Sequence, residues 1–242
     1  MIQKQKLNIL LPLLILMMGA QSCTFDTNAI RGDGNVLTRE KNLDSFTEID
    51  ASGVFKIFLL EGENPHIRIE TDENIHEYIS YEVKRSTLKL KMESNQIYRP
   101  TRLDVYVTVN DLGQIRLSGA TSLEADHVLV SPEFSLHLSG AGDIDLEVET
   151  EKLTTHVSGA GSLKIKGYTY MHDITLSGAA SLKCVDLITH ITHIKLSGAG
   201  SANVYASEEL NASISGVGSI RYAGEPRSTN ISRSGVGSIR PI

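Results

Sequence analysis

Thr155-His156-Val157-Ser158-Gly159-Ala160-Gly161-Ser162-Leu163 is one copy of a nine-residue phrase that recurs through the second half of the chain. The other copies begin at Ile115, Leu136, Ile174, Ile194, Ala212 and Ile231. Their Ser-Gly serines fall at 118, 139, 158, 177, 197, 215 and 234, in steps of 21, 19, 19, 20, 18 and 19. A degenerate eighth copy, Ile49-Asp50-Ala51-Ser52-Gly53-Val54, lies upstream. A constant period near 20 marks one supersecondary unit repeated. Within each unit apolar and polar residues alternate, as in Ser162-Leu163-Lys164-Ile165, which is the signature of a strand with one buried face. No unit carries enough apolar surface for a core of its own, so neighbours must share one. The fold predicted is all-β: a right-handed parallel β-solenoid, a β-helix-like stack of repeats about 20 residues long. Its hand follows from the general preference for right-handed parallel connections. Glycine recurs where successive layers must approach too closely for a side chain.

Outward from the repeats, Ile67-Arg68-Ile69, Leu88-Lys89-Leu90-Lys91-Met92 and Leu103-Asp104-Val105-Tyr106-Val107 alternate cleanly, and only Glu73 to Ile79 hints at a helical turn. The chain has no Trp and only 5% aromatic residues, so its core must be built from Leu, Ile, Val and Ala in thin, regular layers. Residues 36–110 read as an N-terminal β region and 111–242 as the repetitive region.

Residues 1–22 read as a targeting segment. Lys4 and Lys6 precede an apolar run, Ile9 to Met18, that is too short to span a bilayer and suits a signal peptide. Ala20-Gln21-Ser22-Cys23 resembles the lipobox of bacterial lipoproteins, which predicts acylation of Cys23 and attachment to a membrane through that lipid. Residues 23–35, polar and glycine-bearing, read as a tether. Cys184 is then the one remaining thiol of the mature chain, best read as a buried apolar side chain. The net charge is −6; removing Lys4 and Lys6 leaves 21 basic against 29 acidic residues, or −8. Such a surface lacks the positive footprint that nucleic acid requires.

The phrase invites several chemistries, and each meets a simpler explanation. A phosphate-cradling glycine loop occurs once, ahead of a long helix, whereas this segment recurs between strands. No serine of the repeats sits in a Gly-x-Ser-x-Gly elbow or is marked by a nearby His and Asp. His137 and His156 occupy equivalent positions, so their rings should stack; His193 is offset by two. Two imidazoles without a carboxylate make a poor metal site. Arg31-Gly32-Asp33 spells an attachment tripeptide but lies close to the anchor. Asp143, Asp145, Glu147 and Glu149 form the densest acidic run and alternate along one strand, as a solvated face does rather than a paired acid and base. No catalytic residue, metal ligand or cofactor is therefore assigned.

The Ile-x-Leu-Ser-Gly-Ala-Gly-Ser-Leu repeats, together with Phe46-Thr47-Glu48-Ile49-Asp50-Ala51-Ser52-Gly53-Val54-Phe55 and Leu59-Leu60-Glu61-Gly62-Glu63, resemble the bacterial head GIN domain family, described as putative auto-transporter adhesins. The resemblance runs from about Val36 to Ile239. It implies a largely parallel all-β solenoid, exported and often lipid-anchored at the outer membrane, and it brings no catalytic residues. The expected function is a non-catalytic envelope adhesin or binding module with a glycan or protein ligand. The alternatives are a structural, envelope-maintenance periplasmic lipoprotein and a carbohydrate-active β-helix enzyme.

Overall fold

The computed structural model describes residues 29–94 and 96–242. Cys23 and the targeting segment lie outside the described residues. The fold is all-β, with a single 3-10 turn among the described residues, at His76–Tyr78 where the sequence hinted at one. The strands are β1 (Ile30–Arg31), β2 (Val36–Asn42), β3 (Glu48–Glu61), β4 (His66–Asp72), β5 (Ile79–Lys84), β6 (Thr87–Met92), β7 (Tyr98–Arg99), β8 (Leu103–Val109), β9 (Gln114–Val130), β10 (Glu133–Lys183), β11 (Leu187–Gly198), β12 (Ser201–Tyr205), β13 (Glu209–Gly216), β14 (Ser219–Ala223), β15 (Ser228–Gly235) and β16 (Ser238–Pro241). Apart from the β1–β7 pair, they join in one open sheet of 14 strands.

Successive repeats pair in parallel, phrase on phrase. Ser118 aligns with Ser139, Ser177 with Ser197, Ser197 with Ser215 and Ser215 with Ser234. The degenerate upstream copy belongs to the same ladder: Ile49, Ser52 and Gly53 of β3 align with Ile115, Ser118 and Gly119 of β9. Alternation then buries one residue type per column. Immediately before the serines, Ala51, Leu117, Leu138, Val157, Leu176, Leu196 and Ile214 are all sealed from solvent. Backbones meet at the Ser-Gly site. A Cβ built on Gly159 would sit well inside 3.0 Å of the Gly140 carbonyl oxygen, and Gly178 bears on Gly159 in the same way.

A second column, at a different point of the period, is polar yet buried. Ser131, Thr150, Thr169 and Thr189 each donate a hydroxyl to a main-chain carbonyl two residues away: Glu133, Lys152, Met171 and Leu187, at 2.9, 3.1, 3.0 and 3.0 Å. These local bonds satisfy the buried hydroxyls along this column.

The N-terminal end of the ladder is covered by antiparallel strands that the repeat period does not announce. The first part of β3 pairs in parallel with β6, which folds back on β5 through Arg85 and Ser86, both at positive φ as a two-residue hairpin turn demands. The later part of β3 pairs with β8, and β8, β4 and β2 continue antiparallel to an exposed edge. The segment read as a tether is held from Ile30 onward. Ile30 and Arg31 pair with Tyr98 and Arg99, and Asp72 accepts hydrogen bonds from the Gly34 amide (2.8 Å) and the Thr101 amide (2.7 Å). Burial raises the Asp72 carboxyl, but these donors outweigh it and hold the group below the usual carboxylate range.

At the opposite end the inward column finishes in a charge. Arg233 aligns with Ile214 but is exposed, on a strand whose residues are all exposed. A charge at the inward register position of a terminal strand blunts an edge that would otherwise template further pairing. Arg233→Leu is expected to make the protein associate with rising concentration, read by light scattering; a variant that stays at the parent mass would remove this role from Arg233.

Candidate functional site: a charged and aromatic face beside the ladder

The long step between the serines at 118 and 139, 21 residues against 18 to 20 elsewhere, has a local cause. Asp145 aligns with Glu124, but Glu147 aligns with Val128, so β9 carries Ala125, Asp126 and His127 where β10 carries Leu146 alone. The extra residues form a β-bulge, which lifts the strand and re-aims its side chains. Beside it opens a cleft of about 700 Å³ lined by Glu124, Asp126, His127, Asp143, Asp145, Glu147, Lys164, Lys166 and Lys183, among others.

The acidic run supplies one wall. Asp143, Asp145, Glu147 and Glu149 point outward while Ile144, Leu146 and Val148 are buried, as the alternation predicts. The next repeat places lysines opposite: Lys164 Nζ lies 3.0 Å from Asp145 Oδ2, and Lys166 Nζ 2.8 Å from Glu147 Oε2. Glu147 holds the Lys166 ammonium above its ordinary range. Exposed pairs of this kind add little stability. Their consequence is a row of fixed donors and acceptors.

Farther along the same outward rows the charges give way to rings. Tyr168 and Tyr170 follow Lys164 and Lys166 on β10, and β11 brings Ile188 and His190 alongside them. Tyr168, Tyr170 and Ile188 are 41%, 45% and 45% exposed, while Thr169 between the tyrosines is buried and turned inward by its hydroxyl bond. His190 packs on both rings, 5.9 Å from Tyr168 edge-on and 5.1 Å from Tyr170 at 30°. Its Nδ1 lies 3.2 Å from Glu208 Oε1, a carboxylate oxygen that accepts a hydrogen bond from the ring and fixes it. Sequence reading singled out neither tyrosine, because an outward Tyr in an alternating strand looks like any half-exposed residue. The signal available was their i, i+2 spacing in a chain with only eight Tyr.

The other singled-out residues lie elsewhere. His137 and His156 do pack together, with ring centroids 5.9 Å apart. Burial, with Arg116 and His156 alongside, pushes the His137 imidazole below its usual value. His193 stands apart from them, between Asp173 (3.0 Å) and Glu209 (3.5 Å), in the lining of a second cleft of about 470 Å³ that also holds Asp173 and Lys195. Cys184 is buried, and burial pushes its thiol pKa far up, so the thiolate is suppressed. Of the Arg31-Gly32-Asp33 tripeptide, Arg31 is in β1 and Gly32 packs on Asp72, which takes the segment out of an extended, free-standing presentation. Among the described residues no group of three or more His, Cys, Asp or Glu is placed to hold a metal ion.

The fold recurs in solved structures. A "putative adhesin" from Bacteroides fragilis superposes with a TM-score of 0.84 at 24% identity, over 88% of this chain and 100% of that one. A "putative lipid binding protein" from Parabacteroides distasonis gives 0.75 at 22% identity, over 88% and 99%. A "putative adhesin" from Parabacteroides merdae gives 0.70 at 22%, over 89% and 100%. At these identities the likeness is one of fold. No curated protein matches the sequence. A profile of the family described as "putative auto-transporter adhesin, head GIN domain" matches residues 45–226, which takes in β3 and all but the last two strands of the repeat ladder. The chain belongs to that head GIN domain family.

Proposed function

We propose that this protein is a non-catalytic binding module of the cell envelope, exported by the segment that precedes Cys23 and held at the outer membrane by a lipid on that cysteine. Its chain winds as a right-handed β-solenoid, so that outward residues of successive repeats form continuous lateral faces. The observation that carries the binding role is the bulge-opened cleft together with the exposed Tyr168, Tyr170, Ile188 and His190, which follow its Lys164 and Lys166 along β10 and on the neighbouring β11. Exposed aromatic and apolar residues gathered beside fixed polar groups mark a ligand surface better than scattered apolar residues do. Family membership supports the same reading. So does the placing of the strongly shifted titratable groups: His172 and Cys184 are sealed in the interior rather than poised in a cleft, where acid–base chemistry would need them.

Protease shaving of intact cells, followed by antibody detection beside a periplasmic control protein, tests the exposure that adhesion requires. Loss of this protein with survival of the control is the expected result. Protection of both would refute an adhesin and move the search to periplasmic partners by crosslinking.

A further inference from the structure

Resting on that reading, we propose that the patch of Tyr168, Tyr170, Ile188 and His190 binds a neutral oligosaccharide, one sugar ring lying against the tyrosine faces and the chain running toward the Lys166–Glu147 pair. Three observations choose this ligand. The first is size: at the exposures found, the patch offers on the order of 300 Å², well short of the roughly 800 Å² per side of a stable protein interface. The second is its chemistry. A pyranose has apolar C–H faces and a rim of hydroxyls, and here aromatic faces stand next to oriented donors and acceptors. His190 is fixed by Glu208 at 3.2 Å, and Lys166 and Glu147 hold each other at 2.8 Å. Alternate residues along a strand are about 7 Å apart and adjacent strands about 4.8 Å apart, so rings and polar groups fall within the span of two or three sugar units. The third is charge. The preceding repeat places Glu149 and Glu151 at the exposed positions next to Tyr168 and Tyr170, and Glu208 lies beyond His190. This acidic surround disfavours sulfated or sialylated chains.

The same carboxylates would suit a quaternary ammonium group, which binds aromatic faces through their quadrupole; the test separates the two. The full chain, extracted in mild detergent, is titrated calorimetrically with a panel of neutral hexasaccharides (cellohexaose, maltohexaose, mannohexaose and hexa-N-acetylchitohexaose), with heparin and with tetramethylammonium. At least one neutral oligosaccharide should bind, tenfold or more weaker to Tyr168→Ala and to Tyr170→Ala, and unchanged in Lys195→Ala, which lines the second cleft. Unshifted melting of the two tyrosine variants, expected for exposed side chains, secures the comparison. Failure of every neutral sugar, binding indifferent to both tyrosines, or tighter binding of tetramethylammonium or heparin would overturn the proposal. Whole-cell adhesion that survives both tyrosine substitutions but is lost on reversing Lys164 and Lys166 to Glu would overturn the saccharide site while leaving the face as a binding surface.

Discussion

Gly159→Val should destabilise the protein by about 3 kcal/mol or more, lowering its melting temperature by roughly 10 °C for a domain of this size. The obstacle is the backbone of the preceding repeat, not a side chain that could rotate away: the Gly140 carbonyl oxygen and its neighbouring main-chain atoms occupy the space a Cβ needs. Alanine should therefore suffer most of the same loss. Gly113 supplies the control, because a Cβ there would meet nothing nearer than 3.7 Å, and Gly113→Ala should melt close to the parent or slightly above it. Equal melting of Gly159→Ala and Gly113→Ala would mean that the repeats do not approach as described.

The second large effect is a dependence on acid. His172 is 1% exposed, and its Nε2 lies 2.9 Å from the Thr155 hydroxyl inside the apolar column. Burial pushes its pKa from 6.5 down to about 3, against a smaller opposing pull from Asp173. Between those two values the unfolded chain binds a proton that the folded chain refuses. Stability attributable to this residue is thus fully present above pH 6.5 and falls as the pH drops, by roughly 1.4 kcal/mol per unit at most. The preceding repeat carries Leu136 and Leu153 in the places of Thr155 and His172, and the following one has Ile174 for Thr155. The double variant Thr155→Ile/His172→Leu should fold and lose this part of the slope. Urea unfolding of both proteins from about pH 7 to about pH 4 decides it: profiles that fall in parallel would exclude His172 as the source.

Much of this architecture was legible because a repeat imposes the same geometry many times over. The Ser-Gly positions specified the parallel register, including the distant copy at Ile49–Val54, and alternation assigned the buried columns. The long first step between serines contained the bulge at Ala125–His127, although spacing alone does not say whether extra residues form a bulge or lengthen a turn. The antiparallel cover was not legible. β4, β5, β6 and β8 show clear alternation, but alternation identifies a buried face and not the strand beside it. Thr155 and His172 escaped for a related reason: a polar residue in a strand reads as outward until its neighbours fix the phase. The aromatic face depended on equivalent positions of successive repeats lying side by side. The period implied that neighbourhood, but it gave Tyr168 and Tyr170 no distinction within their own strand.

The pairing of β3 with β9 gives the molecule a direction in time. From Ser118 onward each segment finds its partner one repeat away, so repeats can add or detach singly from the C-terminal end. Ser118 meets Ala51 across 67 residues, a closure costing about 1 kcal/mol more in chain entropy than one repeat step. The β4–β8 insertion must also be in place before β3 gains its other partners. The N-terminal end should therefore form late and open as one cooperative piece, while the C-terminal repeats fray one after another. Hydrogen exchange would register this as graded protection beyond Ser197 and uniform protection across β3, β8 and β9.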